Sequence, residues 1–173
     1  LVGSEMCIRD RINYYGNDIH NEITSGKENI NLKYTSTIGE VNDIKSNFLL
    51  KLRNNLNKDR ERGLTLIGPH RDDFNIFING IDVKTFGSQG QQRTAILTIK
   101  FSSLKIIKET TGEYPVLLLD DVLSELDGNR KKYILSTIKD IQTIITSTGI
   151  EDLKDYLDNN GKIFNVYNGK IID

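Results

Sequence analysis

A single cysteine, Cys7, stands in 173 residues, which excludes an internal disulfide framework and a cysteine-built zinc site. No apolar run approaches the length of a membrane span, and no secretory signal opens the sequence, so the expected compartment is cytoplasmic. Excess charge of either sign is missing too. The net charge is −1 with 27% charged residues, a balance that argues neither for nor against nucleic acid, since a basic patch can sit inside a neutral total. There is no internal repeat and no low-complexity tract. The phosphate-binding pattern Gly-x-x-x-x-Gly-Lys-Ser/Thr is also absent. In the first half Gly26-Lys27 is the only Gly-Lys pair; it lacks the first glycine and has Glu28 where Ser or Thr would stand. What remains, at 37% hydrophobic, is the composition of a soluble globular protein with room for about one domain.

Residues 1–11 carry no helical or strand period and no initiator methionine. They resemble translated adaptor sequence and are set aside from fold reasoning as a tag would be, so the chain is expected to be part of something longer. From 12 to 33 the pattern is weak and polar, with Tyr14, Tyr15 and Ile19 on one helical face and His20 expected at the surface. Residues 29–34 alternate as a half-buried strand does. Asp43 is placed to cap a helix to about Asp59, with Ile44, Phe48, Leu49, Leu52 and Leu56 at helical spacing. The mixed charges that follow, 58–62, read as a solvated helix end, with a DNA-facing surface as the sharper alternative.

A short strand is expected at 63–68, leading into Pro69-His70-Arg71-Asp72-Asp73. Next come two strands around Asn79-Gly80, a strong hairpin signal. A long helix should follow Ser88, over about 89–108, with Ala95, Ile96, Ile99, Leu104 and Ile107 buried and Gly112 at its end. Val116-Leu117-Leu118-Leu119 runs without alternation into Asp120-Asp121, as does a strand buried on both faces. Helix 128–139, strand 142–146, helix 151–157 and a closing hairpin on Asn168-Gly169 complete an α/β pattern.

Two segments carry chemistry. The first is Ser88-Gln89-Gly90-Gln91 at the start of the long helix, where unpaired N–H groups and a partial positive charge favour an anion. Ser88 can cap the helix or donate its hydroxyl to a phosphate oxygen, and Gly90 lets the backbone approach a ligand. A capped helix with nothing bound remains the alternative. The second is the acidic strand end, where parallel sheets bind ligands. There Asp120 is placed to hold Mg²⁺ and Asp121 to position or deprotonate a water, while Asp127 alone also fits an N-cap.

Together these segments resemble the signature motif, Walker B strand and D-loop of ABC-type ATPases. With Gly68-Pro69-His70-Arg71-Asp72-Asp73 upstream, the wording is similar to the RecF family, over about residue 63 to the C-terminus. The fold this implies is α/β, a P-loop NTPase of ABC/SMC-like type. Residues 63–173 would be the C-terminal part of the ATPase core and 12–62 part of a helical lever subdomain.

The resemblance implies that Ser88, Gln89, Gly90 and Gln91 face ATP held by a second protomer. Asp120 would serve the metal, Asp121 the catalytic carboxylate, and Ser124 and Asp127 the D-loop. Most ABC ATPases have Glu where Asp121 stands, and a switch His where Thr148 stands, which implies a slow ATPase using ATP as a dimerisation switch. His70 and Arg71 would either reach phosphate or brace a rigid junction. A RecF-like protein implies DNA repair, replication and recombination in the SOS response. Its partners would be double-stranded DNA at single-strand gaps, RecR and RecO, and RecA indirectly, with ATP and Mg²⁺ as cofactors. The family's phosphate loop lies ahead of the residues seen here, so this chain would hold the C-terminal portion and be inactive alone. The rivals are another SMC-, RecN- or OLD-like ATPase, and a non-catalytic interaction module.

Overall fold

The computed structural model describes residues 2–39, 43–123, 126–149 and 161–172. They fall into two compact units, Leu1–Pro115 and Val116–Asp173. The boundary expected at 62/63 lies inside the first unit, because strands on either side of it pair with each other.

The first unit is built on two long helices and a small antiparallel sheet. Helix α1 (Val2–Thr24) places Ile12, Ile19 and Ile23 on one buried face, a helical spacing. It begins at Val2, so the stretch 1–11, expected without a period, is mostly helical. Ser25 and Gly26, both at positive φ, end it. Strand β1 (Ile30–Thr35) then pairs with β2 (Asp73–Ile78), matching Ile30 with Ile78 and Leu32 with Ile76. Asn79 and Gly80, at φ 50° and 80°, turn β2 into β3 (Ile81–Asp82) as the Asn-Gly signal requires.

Between these strands lies α2 (Ile44–Arg62), capped by Asp43, whose side chain accepts the Ser46 N–H. Gly63 at φ 65° closes it. None of its residues is buried, so the apolar set from Ile44 to Leu56 is not a core face among the described residues. The stretch 63–68 is not a strand. It runs as turns into a 3₁₀ turn at Pro69–Arg71, because Asp59 and Thr37 take up backbone N–H groups that a sheet partner would otherwise bond.

Helix α3 (Val83–Phe86) leads to α4 (Gln89–Thr111), which packs on α1. The buried side of α4 differs from the expected one. It consists of Thr94, Ala95, Leu97, Thr98, Phe101, Ser102 and Leu104, whereas Ile96 and Ile107 are exposed. Hydroxyls can lie buried here because each returns a hydrogen to the carbonyl one turn back. Thr94 donates to Gly90, Thr98 to Thr94, and Ser102 to Thr98. Small side chains also let α1 approach; a Cβ added to Gly16 would meet Ser102 and Thr98 at 3.5 Å. His20, expected at the surface, is fully buried between the helices, with Nδ1 2.9 Å from Thr98 Oγ1.

In the second unit β4 (Leu117–Asp120) runs parallel to β5 (Thr143–Thr146), with α5 (Gly128–Thr137) as the connection between them. Leu117, Leu119, Leu123, Leu126, Ile134, Leu135, Ile138 and Ile141 form the buried side. The strand expected to be buried on both faces is buried on one. Leu118 is 60% exposed and Val116 52%, because no described element covers that face. A hairpin of β6 (Asn165–Tyr167) and β7 (Lys170–Ile172) turns at Asn168-Gly169. The helix expected at 151–157 lies outside the described residues. Among the described residues no helix is long and apolar enough to cross a membrane.

Candidate functional site

Ser88 stands in extended conformation before α4 and caps it with a complete capping box. Its Oγ accepts the Gln91 N–H at 3.2 Å, and Gln91 Oε1 accepts the Ser88 N–H at 3.0 Å. The cap uses a lone pair of the Ser88 oxygen and leaves its hydrogen available to an outside acceptor. Both alternatives for Ser88 are therefore compatible: it caps the helix and can still donate to an anion. Ser88 and Gln89 are exposed, and Gly90 and Gln91 are half-buried. The Gln89 and Gly90 N–H groups precede the first hydrogen bonds within the helix and add positive character at the same spot. Behind the cap, Gln92 Nε2 donates to the Val83 and Gly87 carbonyls at 3.2 Å each and fixes the approach from α3.

Asp120 ends β4 on the same face as Leu118, opposite Thr146 of β5. The Thr146 hydroxyl donates to Asp120 Oδ1 and accepts the Asp121 N–H at 3.0 Å, while the Thr146 carbonyl accepts that same N–H at 3.2 Å. One threonine thus orients both acidic residues. Asp121 has φ 47°, a left-handed conformation that ends the strand just after Asp120. Asp120, Asp121 and Thr148 are all exposed. Asp127 accepts the Asn129 and Arg130 N–H groups at 3.1 and 3.0 Å as N-cap of α5, and also lies 3.4 Å from Arg130. Ser124 lies outside the described residues.

The segment Gly68–Asp73 is tied back to the end of β1. Asp72 accepts the Thr37 N–H at 2.6 Å, the Thr37 hydroxyl at 2.8 Å and the Tyr34 hydroxyl. Burial pushes its carboxyl up, but the bonds from Thr37, Tyr34 and Ser36 outweigh this and hold it below its ordinary value. His70 Nε2 lies 3.0 Å from the Thr65 carbonyl, to which Arg71 Nε donates at 3.2 Å. Both side chains are exposed, yet both brace the turn that carries them.

Among the described residues no three His, Cys, Asp or Glu side chains gather as a metal cage. The exposed Asp120 carboxylate at the strand end fits Mg²⁺ of the kind held by one or two carboxylates together with phosphate and water. Ser88 to Gln91, expected to face ATP of a second protomer, lie in the first unit with His70 and Arg71, while Asp120, Asp121, Asp127 and Thr148 lie in the second. Thr146 stands two residues ahead of Thr148, the residue expected at the switch position, and the sequence by itself assigns it no role; it is a hydroxyl at the end of the strand that follows the acidic one.

No family model matches the chain. It is 71% identical over 173 residues to the DNA replication and repair protein RecF of Clostridium botulinum, and 70% identical over 174 to that of Clostridium beijerinckii; both comparisons take in all of this chain and 48% and 47% of the relatives. RecF of Clostridium perfringens is 63% identical over 171 residues. The chain thus spans about half the length of the curated relatives it matches. Two solved structures of the recombination mediator protein RecF in the RecFOR pathway, with ATP and with ATPrS, match 94% of the chain. They do so at TM-scores of 0.73 and 0.72 and identities of 39% and 40%, over 44% and 43% of their own lengths. With its sequence matched from end to end and its fold over nearly all its length, the chain belongs to the RecF family.

Proposed function

We propose that these residues are the C-terminal portion of a RecF-type ATPase that works on DNA in recombinational repair and replication. The observation that carries this is the exposed, Ser88-capped N-terminus of α4, an anion site in a chain that is 39% identical to a solved RecF–ATP structure. In this reading Ser88 and the Gln89 and Gly90 N–H groups would face the phosphates of ATP held by a second copy. Asp120 would hold Mg²⁺, whose charge would offset that of the phosphates. Asp121 would orient a water and take its proton, Thr148 would stand beside the phosphates, and Ser124 and Asp127 would face the partner copy. Two copies joined across ATP would make a closed dimer that clamps double-stranded DNA near gaps, with RecR, RecO and RecA as its protein partners.

The phosphate loop would come from residues outside these 173, so the isolated chain should turn over no ATP. Phosphate release by the purified chain above a buffer control would contradict this. In the full-length protein, Ser88→Arg should abolish ATP-dependent dimerisation while the monomer stays folded by circular dichroism. Dimer formation with ATP at the wild-type level in a sizing experiment would defeat the nucleotide reading.

A further inference from the structure

Gln91 uses both ends of its side-chain amide. Its Oε1 holds the Ser88 N–H, and its Nε2 donates to Glu28 Oε1 at 2.9 Å, reaching from α4 to the segment before β1. The other oxygen, Glu28 Oε2, lies 3.3 Å from His20 Nε2, and both atoms are shielded from solvent. On its far side His20 Nδ1 meets Thr98 Oγ1 at 2.9 Å. Thr98 spends its own hydrogen on the Thr94 carbonyl, so it can only accept from His20, and Nδ1 carries a hydrogen. Thr94 in turn donates to the Gly90 carbonyl at 2.7 Å. This path leaves the first turn of α4 at Gln91, crosses Glu28 and His20, and returns to the same turn at Gly90.

The orientation of His20 follows. A neutral ring with its hydrogen on Nδ1 would turn a lone pair toward a carboxylate oxygen, out of water, and the two would repel. A proton on Nε2 removes the conflict and makes the 3.3 Å approach an ion pair rather than a hydrogen bond. We propose that His20 and Glu28 are positioning residues for the phosphate-facing turn. The imidazolium fixes the Glu28 carboxylate, the carboxylate fixes the Gln91 amide, and the amide fixes Ser88 so that its remaining hydrogen points outward. This rests on the nucleotide reading of Ser88.

The test uses the full-length protein containing these residues and reads the ATP concentration that gives half-maximal dimer. Glu28→Ala removes both links and should raise that concentration about tenfold with the maximal dimer unchanged, while Glu28→Gln should stay within about threefold of wild type. The glutamine can still accept from Gln91 and can donate to the Nε2 of a neutral His20. A wild-type ATP requirement in Glu28→Ala, or a Glu28→Gln protein as impaired as Glu28→Ala, overturns the proposal. Nitrogen NMR of unsubstituted protein near neutral pH gives a second readout that needs no variant. Two protonated ring nitrogens on His20 are expected, and a neutral ring overturns the ion pair. Should Ser88→Arg itself leave dimerisation intact, the nucleotide reading fails. Should Ser88→Arg abolish it while Glu28→Ala behaves as wild type, only the positioning role fails.

Discussion

Asp72 shows what one side chain contributes to holding a turn. Its carboxylate ties Thr37 and Tyr34 to the 3₁₀ turn at Pro69–Arg71, and those bonds keep its pKa below the ordinary value. A folded pKa below the unfolded one contributes stability that is fully present above the unfolded value and lost as pH falls through the folded value. The contribution is therefore intact at neutral pH, starts to fade near about pH 4 and is lost as the pH falls further through the lowered folded value. Urea unfolding of Asp72→Asn should show lower stability than wild type at neutral pH and a smaller further loss in acid. An acid loss equal to that of wild type would mean the carboxylate carries none of it. Residues of this kind divide sharply in how readable they are. Ser88, Asp120 and Asp121 announce themselves through their neighbours in sequence. His20, Glu28 and Thr146 work through partners 78, 63 and 26 positions away, so no local pattern contains them.

Helix and strand ends were legible wherever a local residue dictates the backbone. Asp43 and Ser88 as caps, Gly112 as a left-handed stop, and Asn79-Gly80 and Asn168-Gly169 as turns all stand where the sequence places them, whereas Gly63, expected to open a strand, instead closes α2. Faces were less legible. Three of the seven residues on the interior side of α4 carry hydroxyls, which hydrophobic periodicity scores as solvent, and no residue on the apolar face of α2 is buried. Gly87, just ahead of Ser88, tests how tightly one element is joined to the next. Its φ of −70° suits any residue, but a Cβ there would lie 2.5 Å from the Val83 carbonyl oxygen, so the α3 turn must move. Gly87→Ala should cost about 1–3 kcal/mol by overpacking. Gly80→Ala separates strain from collision, since φ is 80° with nothing within 4 Å of an added Cβ; it should cost about 1–2 kcal/mol from backbone conformation alone. Urea midpoints read both. A neutral Gly87→Ala would show that the turn yields freely.

At the scale of the whole chain the open question is what its uncovered apolar surface does. Leu118 and Ile144 are direct partners across β4 and β5, 60% and 57% exposed, with Val116 beside them at 52%. They share their face with Asp120 and Thr146, so the acidic strand end borders an apolar patch rather than a charged one. On α2, Leu49, Leu50 and Leu56 are exposed, and the β6–β7 hairpin shows Val166, Tyr167, Ile171 and Ile172. The adjoining apolar residues of β4 and β5 are the kind of surface that marks an interaction site or an association hazard. In a chain that spans about half the length of its relatives, the physical expectation is that other parts of a RecF-type protein cover it. The isolated 173-residue chain should therefore bind a hydrophobic dye and self-associate with rising concentration, while the full-length protein without ATP should do neither to the same degree. Leu118→Lys with Ile144→Lys puts two like charges directly opposite each other on an exposed face. The pair should reduce self-association of the isolated chain, yet destabilise the full-length protein by burying charge beneath whatever covers that face. Opposite signs in the two contexts, read by light scattering for the first and by urea midpoint for the second, are the diagnostic result. A double variant that leaves the full-length midpoint unchanged would show that the face stays open to water there, and that the patch serves contacts between molecules rather than within one.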